Sequence, residues 1–463
     1  MSGHSHLTQL CRVYCQTESN FVFTHANDSV PTQCPHSSKH VIDAAQTIVV
    51  NPVQELKILG NMNETGRYAE VGLTYANGLR TDIPKSAFGL ARITAETPVV
   101  QNDFIYGIST QYVDAGASNN GIVPTSSNNI ALLNTGTSSN AYVYIHTKRF
   151  ARYRPGQGMN VYMTGVFNAG VANSQQLLGC GNVTDGLFFG YNGTQFGIMH
   201  RSNTVDEWTP QTQWNLDKMD GDGVSRQLLD PTKGNVYRIT FQWLGFGAIT
   251  FMIEDSDTGD FVPVHRIAYA NKNVVPSMRN PSFPLTWIAQ NLGNTTPITL
   301  KAVCCAAFVE GPKNMLGSTF GIDNTKTVSS TTVLANVLTI YNRPTYQSIA
   351  HYIPLFVRML SVGTDGTKNC VVYLVKNATI GGTPSFIDIS SVNSVSQYDT
   401  TGTSVTGGIQ IAAFTFAKVE SRTQSLGELD IFLEPGDKLT IAAKLTGTGS
   451  TEVSASVTWL EDR

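Results

Sequence analysis

The chain has 463 residues, enough for two to four domains, and only 14% of them are charged, against roughly 25% in an ordinary soluble domain. A net charge of −3 excludes a global basic field for holding nucleic acid, and no stretch has the apolar length needed for membrane insertion. In place of charge stand Ser, Thr, Asn and 41 glycines, which suit short strands joined by tight turns and suit long amphipathic helices poorly. A surface so poor in charge is weakly solvated, so part of it is expected to be buried between subunits.

Residues 1–50 form a small Cys/His module. Met1-Ser2-Gly3-His4 lacks a charged region followed by an apolar one, so synthesis in a cytoplasm is expected. Cys11-x3-Cys15 followed by Cys34-x-His36-x3-His40 is a metal-like cluster, because zinc takes four N/S ligands from closely spaced pairs. Strand spacing puts Cys11 and Cys15 on one face but far apart. That spacing speaks against zinc; the candidates for it are Cys15, Cys34, His36 and His40. Two other readings stay open: a Cys15–Cys34 disulfide formed after lysis, or two small buried thiols closing a loop. Seven cysteines cannot all pair within one chain. Cys180, the adjacent Cys304 and Cys305, and Cys370 read as small buried hydrophobes.

Residues 51–112 mix loop signals with a short helix near 53–59. Residues 113–140, rich in Ser, Asn, Gly and Thr, hold few large apolar residues and read as a flexible linker. Residues 141–312 alternate like strands. Leu187–Tyr191 meets Gln195–Met199 across Asn192-Gly193, a strong hairpin signal. A two-sheet sandwich or jelly roll is expected there. A second polar linker, 313–335, leads to a C-terminal sandwich over 336–463, with Glu434-Pro435-Gly436-Asp437 as a tight turn. The fold class is thus all-β: two β-sandwich or jelly-roll domains, the N-terminal module and Ser/Asn-rich linkers.

No nucleophile elbow, phosphate loop, zinc-protease motif or dinucleotide fingerprint is present, so no enzyme and no cofactor other than zinc is expected. Asp217, Asp220 and Asp222 lie in a Gly-rich connection where Asp serves turn geometry, and Pro231 stands where a calcium loop would carry its bidentate Glu. The basic run Lys148-Arg149-Phe150-Ala151-Arg152-Tyr153-Arg154 alternates with apolar residues and reads as the outer face of a strand. Trp214, Trp243 and Tyr191 are candidate stacking faces for a glycan, although alternating aromatics in strands more often belong to a core.

Five ordered blocks over residues 149–290 carry a family resemblance. They are Arg152-Tyr153-Arg154-Pro155-Gly156-Gln157-Gly158; Gly186-Leu187-Phe188-Phe189-Gly190-Tyr191-Asn192-Gly193-Thr194-Gln195-Phe196-Gly197-Ile198; Trp214-Asn215-Leu216-Asp217-Lys218-Met219-Asp220-Gly221; Phe241-Gln242-Trp243-Leu244-Gly245-Phe246-Gly247; and Asn280-Pro281-Ser282-Phe283-Pro284-Leu285. With them the chain resembles virion-associated structural proteins of tailed phages and of large DNA viruses of algae and protists. The N-terminal block around Cys15, Cys34 and His40 resembles a module of the same viral proteins. Leu433-Glu434-Pro435-Gly436-Asp437 with Val457-Thr458-Trp459-Leu460-Glu461 is similar to the ends of trimeric C1q-like sandwiches. The resemblance implies a place in the virion as a minor capsid, decoration, head-fibre or neck component. It implies as partners other virion proteins, the major capsid protein included, and further copies of the chain as a trimer. A host-attachment protein binding cell-surface glycan through the central sandwich is the alternative.

Overall fold

A computed structural model describes residues 8–27, 34, 37, 39–50, 95–312 and 317–462. The helix expected near 53–59 and the zinc candidate His36 lie outside the described residues. The chain divides into two compact units, Met1–Pro84 and Lys85–Arg463. Regular structure among the described residues is β-strand with two single-turn 3-10 helices, as the Thr-, Val- and aromatic-rich alternation requires. No described helix is long and apolar enough to cross a membrane.

The first unit carries a three-stranded antiparallel sheet with Thr8–Cys15 between Asn20–Asn27 and Ile42–Val50.

In the second unit, two sheets stack as the central sandwich. One runs in the order Val205–Pro210, Gln195–Ser202, Gly186–Asn192, Ser174–Gly181, Leu285–Asn291, Tyr142–Thr147, Val113–Ser118. The other runs Phe261–Ile267, Ile249–Glu254, Asn235–Phe241, Met159–Val166, Thr299–Glu310, Ile130–Asn134, Thr125–Ser127, with Glu96–Asp103 added against Thr299–Glu310. Period-two alternation sends Val143, Ile145, Val161, Met163, Ile239 and Phe251 inward. Between the sheets Phe189 meets Tyr237 at 5.0 Å and Phe251 edge-on at 5.3 Å, and fully buried Trp287 donates its indole N–H to the Thr164 carbonyl at 3.3 Å.

The stretch 113–140, expected as a flexible linker, belongs to this sandwich. It supplies three short strands at or next to the sheet edges that bury only Val113, Ala131 and Leu133. So few apolar anchors leave the rest polar, which mimics a linker in composition. Its asparagines make turns: Asn128 and Asn129 both take positive φ (53° and 64°) in the two-residue hairpin that pairs Ser127 with Ile130, the type I′ pattern. Likewise Glu96–Asp103 takes residues from the expected 51–112 region into the sandwich. The Gly186–Asn192 hairpin turns one residue later than expected. Asn192 pairs with Gln195, so Gly193 (φ 62°) and Thr194 are the central residues of a type II′ turn.

Residues 317–462 form an eight-strand jelly roll. In chain order its main strands are Gly317–Val328, Leu334–Asn342, Leu355–Gly366, Cys370–Lys376, Ile409–Phe416, Val419–Ser425, Lys438–Leu445 and Thr451–Asp462. The sheet orders read first-eighth-third-sixth and second-seventh-fourth-fifth, which is the double Greek key. The expected linker 313–335 therefore contributes the whole first strand, Gly317–Val328, which reads polar because only its inward side packs. Residues 313–316 lie outside the described residues. A core around Trp459, Leu338, Val372 and Ile441 sits between the sheets.

Candidate functional site

The basic run 148–154 is where the two sandwiches meet. Ala151 and Tyr153 point into the central core, and Ala151 exchanges backbone hydrogen bonds with Phe283. The alternate residues face the jelly roll. Arg154 Nη2 donates to Asp462 Oδ2 at 2.6 Å, and Arg152 Nη1 lies 3.7 Å from the same oxygen. The three side chains are 12%, 16% and 2% exposed, so the ions are largely desolvated. Burial pushes the Arg152 guanidinium down to about 10 despite the Asp462 carboxylate beside it. Arg149 donates to Asp430 at 2.7 Å and stacks 4.1 Å from the centre of the Phe432 ring. The Phe150 ring meets Tyr352 at 4.8 Å, and the Tyr352 hydroxyl accepts from Asn182 at 2.7 Å. Glu434, also buried, takes a hydrogen bond from the Phe150 backbone while its Oε2 has no partner among the described residues. The run is not the strand that its alternation suggested: only Ala151 forms a bridge, and Arg149, which shares the parity of inward Ala151 and Tyr153, also reaches the jelly roll. The sequence carried the alternation and lacked the partner, because Asp430, Glu434 and Asp462 follow some 280 to 310 residues later.

The aromatic candidates separate. Trp214 is 3% exposed and packs edge-on against Phe189 and Phe196; it is a core residue and offers no face to a sugar, which corrects the glycan expectation for it. Trp243 is half-buried against Tyr153 (5.7 Å), and Tyr191 packs against Phe167 and Phe196 at the end of the core. The outer face of the seven-stranded sheet carries a different set, which sequence reasoning missed. Trp208, Met199 and Phe188 make one cross-strand row, and Leu177, Ile288 and Tyr144 the next. Tyr144 stacks on His146 at 5.2 Å and lies 5.7 Å from Tyr142, leaving these three half-exposed. Gln290 donates to Gln175 at 2.6 Å along the same face. Assigning Tyr142, Tyr144 and Trp208 to one face requires strand register, which single-sequence patterning does not provide.

Asp217 holds a loop: its carboxylate accepts the Met219 and Ser225 backbone N–H groups at 2.8 and 2.7 Å. Asp220 accepts the Asp222 N–H at 3.2 Å. Both follow the turn reading. Cys180, Cys305 and Cys370 are buried as expected, whereas Cys304 is exposed, because neighbours on a strand face opposite ways.

In the N-terminal unit, Cys15 ends the strand Thr8–Cys15, Glu18 sits in the turn to Asn20–Asn27, and Cys34 and His40 come from the loop before Ile42–Val50. That loop is pinned by the Cys34–Ser37 bridge, by His40 N–H to Ser37 O at 3.1 Å and by Gln16 N–H to Val41 O at 2.8 Å. His40 Nδ1 lies 3.7 Å from Cys15 Sγ, 3.9 Å from Cys34 Sγ and 3.0 Å from Glu18 Oε1. The four ligand atoms all lie within 4.8 Å of one another. Both thiols are buried and unbridged. Three of the four zinc candidates thus converge, joined by the carboxylate of Glu18.

No family model matches the chain, and no curated protein matches it in sequence. Among solved structures, the Emp47p carbohydrate recognition domain is 12% identical over 47% of this chain and 97% of its own, with a TM-score of 0.30. A β-1,3-glucanase from Mycobacterium marinum is 10% identical over 46% of this chain and 98% of its own (TM-score 0.32). A protein of unknown function from Shewanella oneidensis MR-1 is 11% identical over 51% and 93% (TM-score 0.31). Likenesses at this level carry no argument about activity.

Proposed function

We propose that the chain is a structural protein of a virus particle, a minor capsid, decoration, head-fibre or neck component, that works by protein–protein assembly and not by catalysis. The observation that carries the assembly reading is the outer face of the jelly-roll sheet ending in Val419–Ser425. Two complete cross-strand rows there read Asp323–Ser456–Ser361–Thr423 and Thr325–Ser454–Gly363–Ser421. Their hydroxyls bond one another, Thr325 to Ser454 at 2.7 Å and Ser361 to Thr423 at 3.0 Å. A face of small side chains, with Asp323 the one charged residue in these rows, lets another backbone approach closely. The resemblance of the five blocks to virion-associated proteins supports the location, and on this reading the partners are the major capsid protein and further copies of this chain, the copies forming a trimer.

The test uses the intact chain. Light scattering on a sizing column is expected to give a trimer, and Gly363→Arg is expected to give a monomer with an unchanged far-UV spectrum, since a Cβ at Gly363 meets nothing within 4 Å in the single chain. An intact chain that stays monomeric at micromolar concentration, or particles whose labelled images lack it, would remove the reading.

One observation favours a second reading, host attachment through cell-surface glycan. The half-exposed Tyr142, Tyr144 and His146 give stacking surfaces on the sheet face whose Leu177, Phe188 and Gln175 are buried. On that reading Tyr144→Ala abolishes saturable binding of the chain to a glycan array or to host cells; silence of the unmodified chain leaves assembly alone.

A further inference from the structure

We propose that Cys15, Cys34, His40 and Glu18 bind one zinc ion that ties the hairpin turn of the N-terminal sheet to the loop preceding its third strand. The site is independent of the assembly reading and would stand if that reading fell.

The spacing is the first ground. Zn–S bonds of about 2.3 Å and Zn–N or Zn–O bonds of about 2.0 Å at tetrahedral angles put sulfur and nitrogen about 3.5 Å apart, and nitrogen and oxygen about 3.3 Å apart. The corresponding distances to His40 Nδ1 are 3.7, 3.9 and 3.0 Å, each within a few tenths of an ångström of those values, and all four ligand atoms lie within 4.8 Å of one another. The second ground is convergence. A disulfide would need only the two thiols, yet an imidazole nitrogen and a carboxylate from two further chain positions point at the same spot. Ligand chemistry is the third. Two thiolates and an imidazole select zinc over calcium or magnesium, and one carboxylate completes four ligands without a vacant position, the mark of a structural site. The buried apolar cluster described around these thiols is small, Cys15 and Cys34 with Ile42 against them, and small modules lean on such a tie. Binding displaces a proton from each thiol and, with neutral imidazole, leaves the centre with one net negative charge.

His36, the fourth ligand expected from spacing, lies outside the described residues; Glu18 takes that place here.

The experiment uses the full chain, stripped with a chelator under reducing, oxygen-free conditions and titrated with Zn²⁺ alone or Co²⁺ alone. One zinc per chain is expected, and cobalt should give tetrahedral visible bands with thiolate charge transfer. Cys34→Ser should lose the charge-transfer intensity and stoichiometric zinc, whereas Cys304→Ser, at an exposed cysteine in the central sandwich, should change neither. Glu18→Gln should keep the fold and weaken zinc binding by at least about tenfold, the scale at which loss of a polar partner is felt in metal sites. The proposal is overturned by a stripped chain that takes up no zinc, by a Cys15–Cys34 disulfide in peptides from protein alkylated before exposure to air, or by unchanged affinity in Glu18→Gln.

Discussion

Raising the pH from about 5 to about 9 is expected to weaken the native state through Glu434, on the order of 3–5 kcal/mol for this one group. Burial pushes its carboxyl from 4.5 up to about 8, and neighbouring Asp437 adds to the shift, while Lys376, Arg149 and the Phe150 N–H act against it. The folded pKa is raised, so the folded chain holds this proton more tightly than the unfolded one. The stabilising contribution is complete below about 4.5 and is lost as pH rises through about 8. Charging an oxygen that has no partner, Oε2, is the physical cost. Because Phe150 and Arg149 belong to the central sandwich, the loss falls on the contact between sandwich and jelly roll. Groups such as Glu420, held low by the Ala417 N–H and Arg422, work in the opposite sense and lose stability on acidification. Glu434→Gln isolates this contribution: urea unfolding at a series of pH values should show the alkaline decline in the native sequence and a flattened one in the variant. Equal slopes would refute the assignment.

Asp462→Ala should destabilise by about 3–5 kcal/mol, the scale for removing one partner of a buried ion pair. It leaves Arg152 and Arg154 side by side, 16% and 12% exposed, with no shared anion between them. The triple variant Asp462→Leu with Arg152→Met and Arg154→Met should recover much of the loss, since apolar groups of similar volume replace all three desolvated charges at little cost. Denaturant midpoints of the three proteins measure both effects. A loss below about 1 kcal/mol in the single variant would mean that water reaches the arginines and the pair behaves as an exposed one.

These two expectations rest on contacts invisible to local pattern, and the same division runs through the rest of the molecule. The all-β class was legible, because alternation such as Tyr142–Thr147 and Asn235–Phe241 depends only on which side of a strand faces a core. The two sandwiches were legible for the same reason. Their limits were not: Val113–Ser118, Ile130–Asn134 and Gly317–Val328 are edge or near-edge strands with few apolar side chains, so their composition matches that of a loop. Convergence of Cys15, Cys34 and His40 could be read from residue type and spacing, since all three lie within 26 residues. Glu18 could not be singled out, because its turn position reaches the others only once three strands align.

By itself, then, the sequence determined the strand-forming texture, the inward residues of each strand, and the donor chemistry gathered in the N-terminal module. Those properties follow from side-chain type and a period of two residues. Tertiary structure alone decided that Trp214 is core, that Tyr144 and Trp208 share one sheet face, and that Arg149, Arg152 and Arg154 are held against acidic partners of the jelly roll. Each of these depends on strand register or on pairing across hundreds of residues. A one-residue slip would exchange inside for outside, and no local pattern names the distant partner.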